Sequence, residues 1–399
     1  MKNIKVVIGA NFGDEGKGLM TDYFASQCRN GIVVRFNGGS QAGHTVVTPD
    51  SLRHVFSHFG SGTFVGLPTY LSEFFIVNPM TFKKEHEGLV KKNIIPIVFS
   101  DINCLITTPY DVMINQIVEA DRGNKRHGSC GLGINETIKR SLAIKLQFDD
   151  FFNFDTYLFK LLEIRDVYLP YRLKELGVNS IPIEYIDLLK NENILKNYFK
   201  DMKFFFDNVK LTTSSILNDY DDIVFEGAQG LLLDQNSEYF PNVTPSNTGM
   251  KNVSKIIKDF KFENENIEIT YITRNYMTKH GAGIFTTETK DKPYFNIIDL
   301  TNVPNAYQGD LRFGLLDVDL LRRTIKRDLN ENAKDIKYKA NLAITCLDQV
   351  DGDISYIVNS KNVKSDIKSF LNEVLSQLEF ENGYISSGLT RNTIKKINR

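Results

Sequence analysis

The chain has 399 residues, of which 42% are hydrophobic, enough to bury a large core. Lys and Arg number 48 against 49 Asp and Glu, a formal charge of -1, which excludes a global field able to hold nucleic acid. Any anion must be caught by a local site, which favours small phosphorylated ligands over polymers.

In chain order, Lys5 to Ile8 reads as a buried strand, Gly9 to Gly18 as a glycine loop, and Leu19 to Cys28 as a helix. A second strand follows at Ile32 to Phe36, then a second glycine loop at Asn37 to Gly43. Further β-rich apolar runs lie at Ile94–Phe99, Asp222–Phe225, Ile267–Ile272 and Leu342–Thr345. Asp317–Leu329 and Val363–Leu378 carry helical spacing. Strands alternating with helices predict an α/β fold, a mostly parallel twisted sheet flanked by helices. From Gln147 to Leu217 the chain is rich in Phe, Tyr, Leu and Lys and poor in glycine, and is read as a helical insertion in one domain spanning 1–399. Glu263 to Glu268 reads as a solvated turn.

The apolar stretch at the N-terminus is too short for a secretory signal, and no window reaches the ~18 apolar residues of a membrane span. Cys28, Cys104, Cys130 and Cys346 are far apart with no CxxC pair. That argues against zinc and disulfides and for reduced thiols in the cytoplasm.

Chemistry concentrates in the glycine loops. Gly13-Asp-Glu-Gly-Lys-Gly18 follows a strand and opens a helix, so its backbone N–H groups can close on phosphate oxygens while Lys17 adds a mobile charge. It is not the common phosphate loop: residue 11 is Asn11, and residue 18 is glycine rather than the Ser or Thr that would hold a metal. Asp14 is therefore the candidate metal ligand. The second loop, Asn37-Gly-Gly-Ser-Gln-Ala-Gly-His-Thr45, puts His44 at the end of a glycine turn, suited to a phosphate or a developing oxyanion.

These two loops, then Phe225-Glu-Gly-Ala-Gln-Gly230, Val243-Thr-Pro-Ser-Asn-Thr248, Gly281-Ala-Gly-Ile-Phe-Thr-Thr-Glu288 and Thr345-Cys-Leu-Asp348, resemble the adenylosuccinate synthetase family in order along the chain. The resemblance implies that family's fold, related to phosphate-loop proteins, and a purine ligase using GTP and Mg²⁺. Asp14 would take the proton from purine N1 while the 6-oxygen attacks the γ-phosphate of GTP. The amine of aspartate would then displace phosphate. Asp14 and the Gly43 carbonyl would face the metal, His44 would act as general acid, and Lys17 would hold phosphate. Around GTP the resemblance places Gly13, Glu15, Gly16, Gly18 and Thr45, with Asp348 reading guanine and Gly388 beside it. Around the purine monophosphate it places Gln229, Leu233 and Thr244. It also implies a homodimer with small-molecule substrates and no nucleic-acid or membrane partner.

Departures from the family pattern bear on the substrates. Its guanine-element lysine is Cys346 here. The phosphate-binding asparagine of its second loop is Gln41, and its paired threonines are Ser129 and Cys130, the thiol being a weaker donor. Arg140 is the candidate for the arginine that crosses the dimer interface. For the amino acid, Thr287 remains, but the arginine-rich loop has become Tyr307-Gln-Gly-Asp-Leu-Arg312 with one arginine, where gripping a dicarboxylate normally takes more. Lys279 and Arg274 are candidates to compensate. IMP with L-aspartate is the leading reading. The same chemistry on dGMP is an alternative, against which Asp14 stands because that branch replaces it. An amine other than aspartate would fit the altered loop. A non-catalytic nucleotide sensor would have lost Asp14, Lys17 or His44, and all three are present.

Overall fold

In β1 (Asn3–Gly9), Ile4, Val6 and Ile8 enter one hydrophobic cluster and Val7 enters another. In β2 (Gly31–Arg35), Ile32 and Val34 oppose Val33 in the same way. Strands apolar on both sides need cover on both faces, which helical crossovers between parallel strands supply. The computed structural model describes residues 1–123, 128–299, 302 and 309–398.

The main sheet continues with β3 (Thr69–Leu71), β4 (Val98–Asp101), β5 (Lys210–Thr212), β6 (Asp222–Gly230), β7 (Asn266–Arg274), β8 (Tyr338–Thr345), β9 (Asn382–Ser386) and β10 (Ile394–Asn398). Across the sheet the order is β10, β9, β8, β7, β1, β6, β2, β3, β4, β5. Neighbours run parallel except β9 with β10. Helices Met250–Asp259, Val318–Asn332 and Ile367–Leu378 cover one face, and Lys17–Ala25 covers the other. The mostly parallel α/β sheet read from the sequence is the one observed.

Several boundaries differ from expectation. Of Ile94–Phe99 only the end pairs, as part of Val98–Asp101; Pro96 has no N–H to give a ladder. Val363 lies in a strand, Lys361–Ser365, and the helix begins only after Asp366, whose carboxylate caps it by accepting the Ser369 N–H at 3.1 Å. Helices fill most of 147–217, but Lys210–Thr212 interrupts them near the end as the edge strand β5. The solvated turn ends at Glu265, because Asn266 already pairs with Asn3 of β1.

The helical segment shares a second hydrophobic cluster with Leu71 and Val98 from β3 and β4. Aromatic side chains dominate it, Phe82 meeting Phe205 at 5.0 Å and Phe148 stacking on Phe205 at 5.5 Å. Beside it lies Arg140, fully buried on the helix Ile134–Ala143. Its Nε and Nη2 donate to Asp111 at 3.2 and 2.9 Å, Nη2 also to the Ile106 carbonyl, and Nη1 to Ser141 and the Ile144 carbonyl. All five guanidinium donors are thereby satisfied within the chain. The expectation that Arg140 reaches a nucleotide phosphate across a dimer interface is corrected: it neutralises a buried aspartate. No helix among the described residues is long and apolar enough to cross a membrane, and all four cysteines are free.

Replacing Arg140 by Met strands Asp111 as an uncompensated buried charge, so urea unfolding should show a loss of about 3–5 kcal/mol. Unchanged stability together with a raised KM for the nucleoside monophosphate would restore the phosphate-binding role.

Candidate active site

The first glycine loop leaves β1 at Gly9, opposite Gly230 at the end of β6. Gly13, Asp14 and Gly16 all adopt positive φ (97°, 61° and 103°), which turns the chain tightly into the helix Lys17–Ala25. For Asp14, which is not glycine, this is a strained conformation of the kind that persists where surrounding contacts over-determine it. A Cβ on Gly9 would lie 2.5 Å from the Gln229 carbonyl, so only glycine lets the loop approach β6 this closely.

Glu15 sits inside this loop. Its Oε1 accepts the N–H groups of Asn11 (3.0 Å) and Gly13 (2.8 Å), and its Oε2 pairs with the Lys17 ammonium at 2.8 Å. Both side chains are buried. Backbone donors and a lysine converging on one carboxylate form a cradle whose chemistry suits an anion.

The second glycine loop is sewn to the β6 turn by Asn37, which donates to the Ala228 carbonyl at 3.1 Å and accepts the Ala228 N–H at 2.7 Å. A Cβ on Gly18 would fall 3.0 Å from the His44 Cβ, which brings the two loops together. His44 Nδ1 meets Glu226 at 2.6 Å, and Glu226 also accepts the Ser61 N–H at 2.9 Å and the Ser61 hydroxyl. Burial pulls the His44 imidazole below its usual pKa against the opposing pull of Glu226. Burial pushes Glu226 up, but His44, Arg35 and Ser61 outweigh it and keep it ionised. The sequence motif contained Glu226 without revealing this role.

Six buried polar atoms on the two glycine loops and the β6 turn have no protein partner: Asn11 Oδ1, Ser40 Oγ, Gln41 Oε1 and Nε2, His44 Nε2, and Gln229 Oε1. Buried polar atoms are nearly always paired, so orphans concentrated on three converging turns mark a surface that binds a ligand. Gln41, His44 and Gln229 are sequence candidates brought together here.

The remaining candidates border this centre unevenly. Thr345 packs against Gly16 and donates to the Glu15 carbonyl at 2.7 Å, which sets the turn carrying Cys346 and the exposed Asp348 beside the cradle. Gly388 lies past the end of the adjacent β9. Thr45 leads the strand His44–Val47, and Gly43 is exposed just before it. Thr244 donates its N–H to the Leu233 carbonyl at 2.8 Å. Ser129 accepts from Asn115 at 2.9 Å, and burial raises the Cys130 thiol pKa. Their loop leads to Ile134, which a Cβ on Gly39 would approach to 3.0 Å.

On the amino-acid side, Lys279 of the strand Tyr276–Lys279 pairs in register with Arg312 of Arg312–Asp317. Arg312 makes a two-point contact with Glu288 (2.8 and 2.5 Å) and donates to the Gly281 and Gly283 carbonyls. It is thus largely engaged within the chain, and a substrate carboxylate would have to compete with Glu288. Thr287 is buried, its hydroxyl 3.8 Å from the Met277 sulfur. Lys279 lies 5.4 Å from the Phe12 ring, beside the first loop, and burial with the nearby Arg312 lowers its pKa to about 8. Tyr307 and Gln308 lie outside the described residues.

Asp14 has one oxygen, Oδ2, 3.1 Å from His280 Nε2, while its backbone carbonyl accepts from Arg274 Nε at 2.5 Å. Burial pushes the Asp14 carboxyl up, but His280, Arg274 and Lys17 outweigh it and hold it below its usual range. Burial lowers His280, and Asp14 with Asn302 more than reverses that. No motif in the sequence singles out His280. Among the described residues no group of three His, Cys, Asp or Glu side chains could hold a metal. Magnesium bound through one carboxylate and substrate phosphates needs no such group.

The two glycine loops, the Gln229 turn, Arg274, the Thr345 turn and Gly388 lie at or just past the carboxyl ends of β1, β2, β6, β7, β8 and β9, where open parallel sheets bind ligands. A glycine-loop cradle with a buried lysine, facing a histidine–glutamate pair, defines a site for phosphoryl transfer from a nucleotide. The sequence model of the adenylosuccinate synthetase family matches residues 6–353. Adenylosuccinate synthetase of Thermoplasma volcanium is 30% identical over 339 residues, covering 81% of this chain and 72% of that protein. The fully ligated adenylosuccinate synthetase of Plasmodium falciparum superposes with TM-score 0.72 at 18% identity, over 99% of both chains. The succinoaminodeoxyadenylate synthetase of cyanophage S-2L, bound to dGMP and dATP, superposes with TM-score 0.63 at 13% identity, over 99% of this chain and 95% of that one. The chain belongs to the adenylosuccinate synthetase family, whose members are GTP-dependent C–N ligases.

The isosteric change Glu226→Gln keeps the packing but removes the charge that steadies a protonated His44. It should lower kcat roughly 10²-fold with little change in the KM for GTP. A variant with full kcat would remove His44 from the chemistry.

Proposed function

We propose that this site joins L-aspartate to the 6-position of IMP at the expense of GTP, with Asp14 as base, Lys17 in the phosphate cradle and His44 as acid. The observation that carries this reading is the convergence of the cradle, the His44–Glu226 pair and the ionised Asp14 on one end of the sheet. Asp14 accepts the N1 proton as the 6-oxygen bonds to the γ-phosphorus and GDP leaves. With Nδ1 held by Glu226, His44 aims Nε2 at the charge that develops between the β- and γ-phosphates, whose negative charge favours the imidazolium that donates there. Its lowered pKa makes that proton easy to give. Lys17, released from Glu15 by the phosphate, neutralises the transferred group. The amine of aspartate then attacks C6 and phosphate departs, which leaves the N6-succinyl nucleotide.

Magnesium, held by Asp14 and the Gly43 carbonyl, supplies charge neutralisation on the phosphates. Gln41 and Gln229, with their unpaired amide atoms, bind the purine monophosphate, and Thr244 and Leu233 line it. In this reading Asp348, whose carboxylate can accept from guanine N1 and N2, and Gly388 bind the guanine of GTP. Lys279 adds the cation that the reduced Arg312 loop lacks. A homodimer and a cytoplasmic setting belong to the same reading, without a contact from Arg140.

Purified protein with Mg²⁺ and GTP should release phosphate only when IMP and aspartate are both present, with a succinyl adduct seen by mass. Asp14→Asn should lower that turnover by roughly 10²-fold or more. Turnover with dGMP, or with another amine, would keep the 6-oxygen activation and rename the substrate. Tight nucleotide binding without release for any pair would make the chain a sensor.

A further inference from the structure

Asp14 is strained at φ 61° and carries the reaction in this reading, so what holds it matters. The holding groups form a closed circuit. His280 Nε2 lies 3.1 Å from Asp14 Oδ2 and 3.2 Å from Asn302 Oδ1. Asn302 donates its backbone N–H and its Nδ2 to the two oxygens of Asp299 at 2.9 and 2.8 Å. Asp299 pairs with Arg274 Nη2 at 3.3 Å, and Arg274 Nε returns to the Asp14 carbonyl at 2.5 Å.

The circuit fixes proton positions. Because Asn302 Nδ2 donates to a carboxylate, its Oδ1 must be the atom that faces the imidazole. His280 Nε2 therefore faces two acceptors, a carboxylate oxygen and an amide oxygen, and must carry the hydrogen. It donates to Asp14 Oδ2, which leaves Oδ1 as the oxygen free to accept from a substrate.

The segment bearing His280 is also tied to the amino-acid side. Lys279 precedes it in the strand paired with Arg312, and Arg312 donates to the carbonyls of Gly281 and Gly283 that follow it. The contact to Asp14 thus comes from the strand and turn that carry the amino-acid residues.

We infer that His280 is a positioning residue for the base: its Nε2–H holds one oxygen of Asp14, so that the other points at the purine, and it couples the amino-acid side to that orientation. The inference rests on Asp14 being the base, and it names the group that aims it. A carboxylate free to rotate would spend less time in a geometry productive for proton transfer, and misplacement of about 1 Å can lower a rate by ~10²-fold.

The test compares His280→Ala, His280→Gln and Asp14→Asn with the unaltered chain, each checked for folding by circular dichroism. Phosphate release is assayed with IMP, GTP, aspartate and Mg²⁺. His280→Ala should lower kcat roughly 10- to 100-fold with the KM values for GTP and IMP nearly unchanged. His280→Gln, whose amide nitrogen can take the place of Nε2, should recover most of kcat. Equal losses in both His280 variants, or full kcat in folded His280→Ala, would overturn the inference while inactive Asp14→Asn left the base in place. Full turnover by Asp14→Asn would overturn the base and this inference together.

Discussion

Two basic side chains at the glycine loops, Lys17 and His44, are buried here, and a buried basic group is stable only where a partner takes up its hydrogen bond or its charge. Lys17 rests on Glu15 and His44 on Glu226, and neither carboxylate is exposed to water. Taking charges out of water is unfavourable by several kcal/mol per ion before pairing repays it. The two pairs therefore fix where their loops go: Glu15 gathers the turn around itself, and Glu226 draws the second loop onto β6. The arrangement has a chemical consequence as well. In the proposed reaction Glu15 yields Lys17 to the phosphate, whereas Glu226 stays with His44 and opposes the pull of burial on its pKa.

The parallel sheet supplies the remaining constraint. Placing β1 between β6 and β7 brings the first loop, the Gln229 turn and Arg274 to one point at the sheet's centre. Asp14 can then be held from two sides, by Arg274 at its backbone and His280 at its carboxylate. The amino-acid side approaches the same point through Lys279 and Phe12. A ligase must bring three substrates together, and here one sheet edge does so with loops that are individually short.

The glycine loops were legible in the sequence because their chemistry is local: glycines, a lysine and a histidine at fixed spacing after a strand. The parallel sheet was legible for the same reason, through apolar runs alternating with helical ones. What was missed depends on partners distant in sequence. His44 and Glu226 are 182 residues apart, and only the β2–β6 pairing makes them neighbours. Arg140 follows Lys139 in a stretch that reads as a charged helix surface, and its burial is decided by Asp111, 29 residues earlier. The end of the strand Lys361–Ser365, from Val363 on, was read as helix because one valine among polar residues fits either period.

The central claim is that the 6-oxygen of the purine is activated by phosphorylation before the amine replaces it. IMP carrying ¹⁸O at the 6-position, turned over with unlabelled GTP and aspartate, tests this directly by mass analysis of the released phosphate. The account predicts one ¹⁸O in each phosphate formed. Unlabelled phosphate, with GTP hydrolysed by water, would contradict it and leave the cradle as a nucleotide switch.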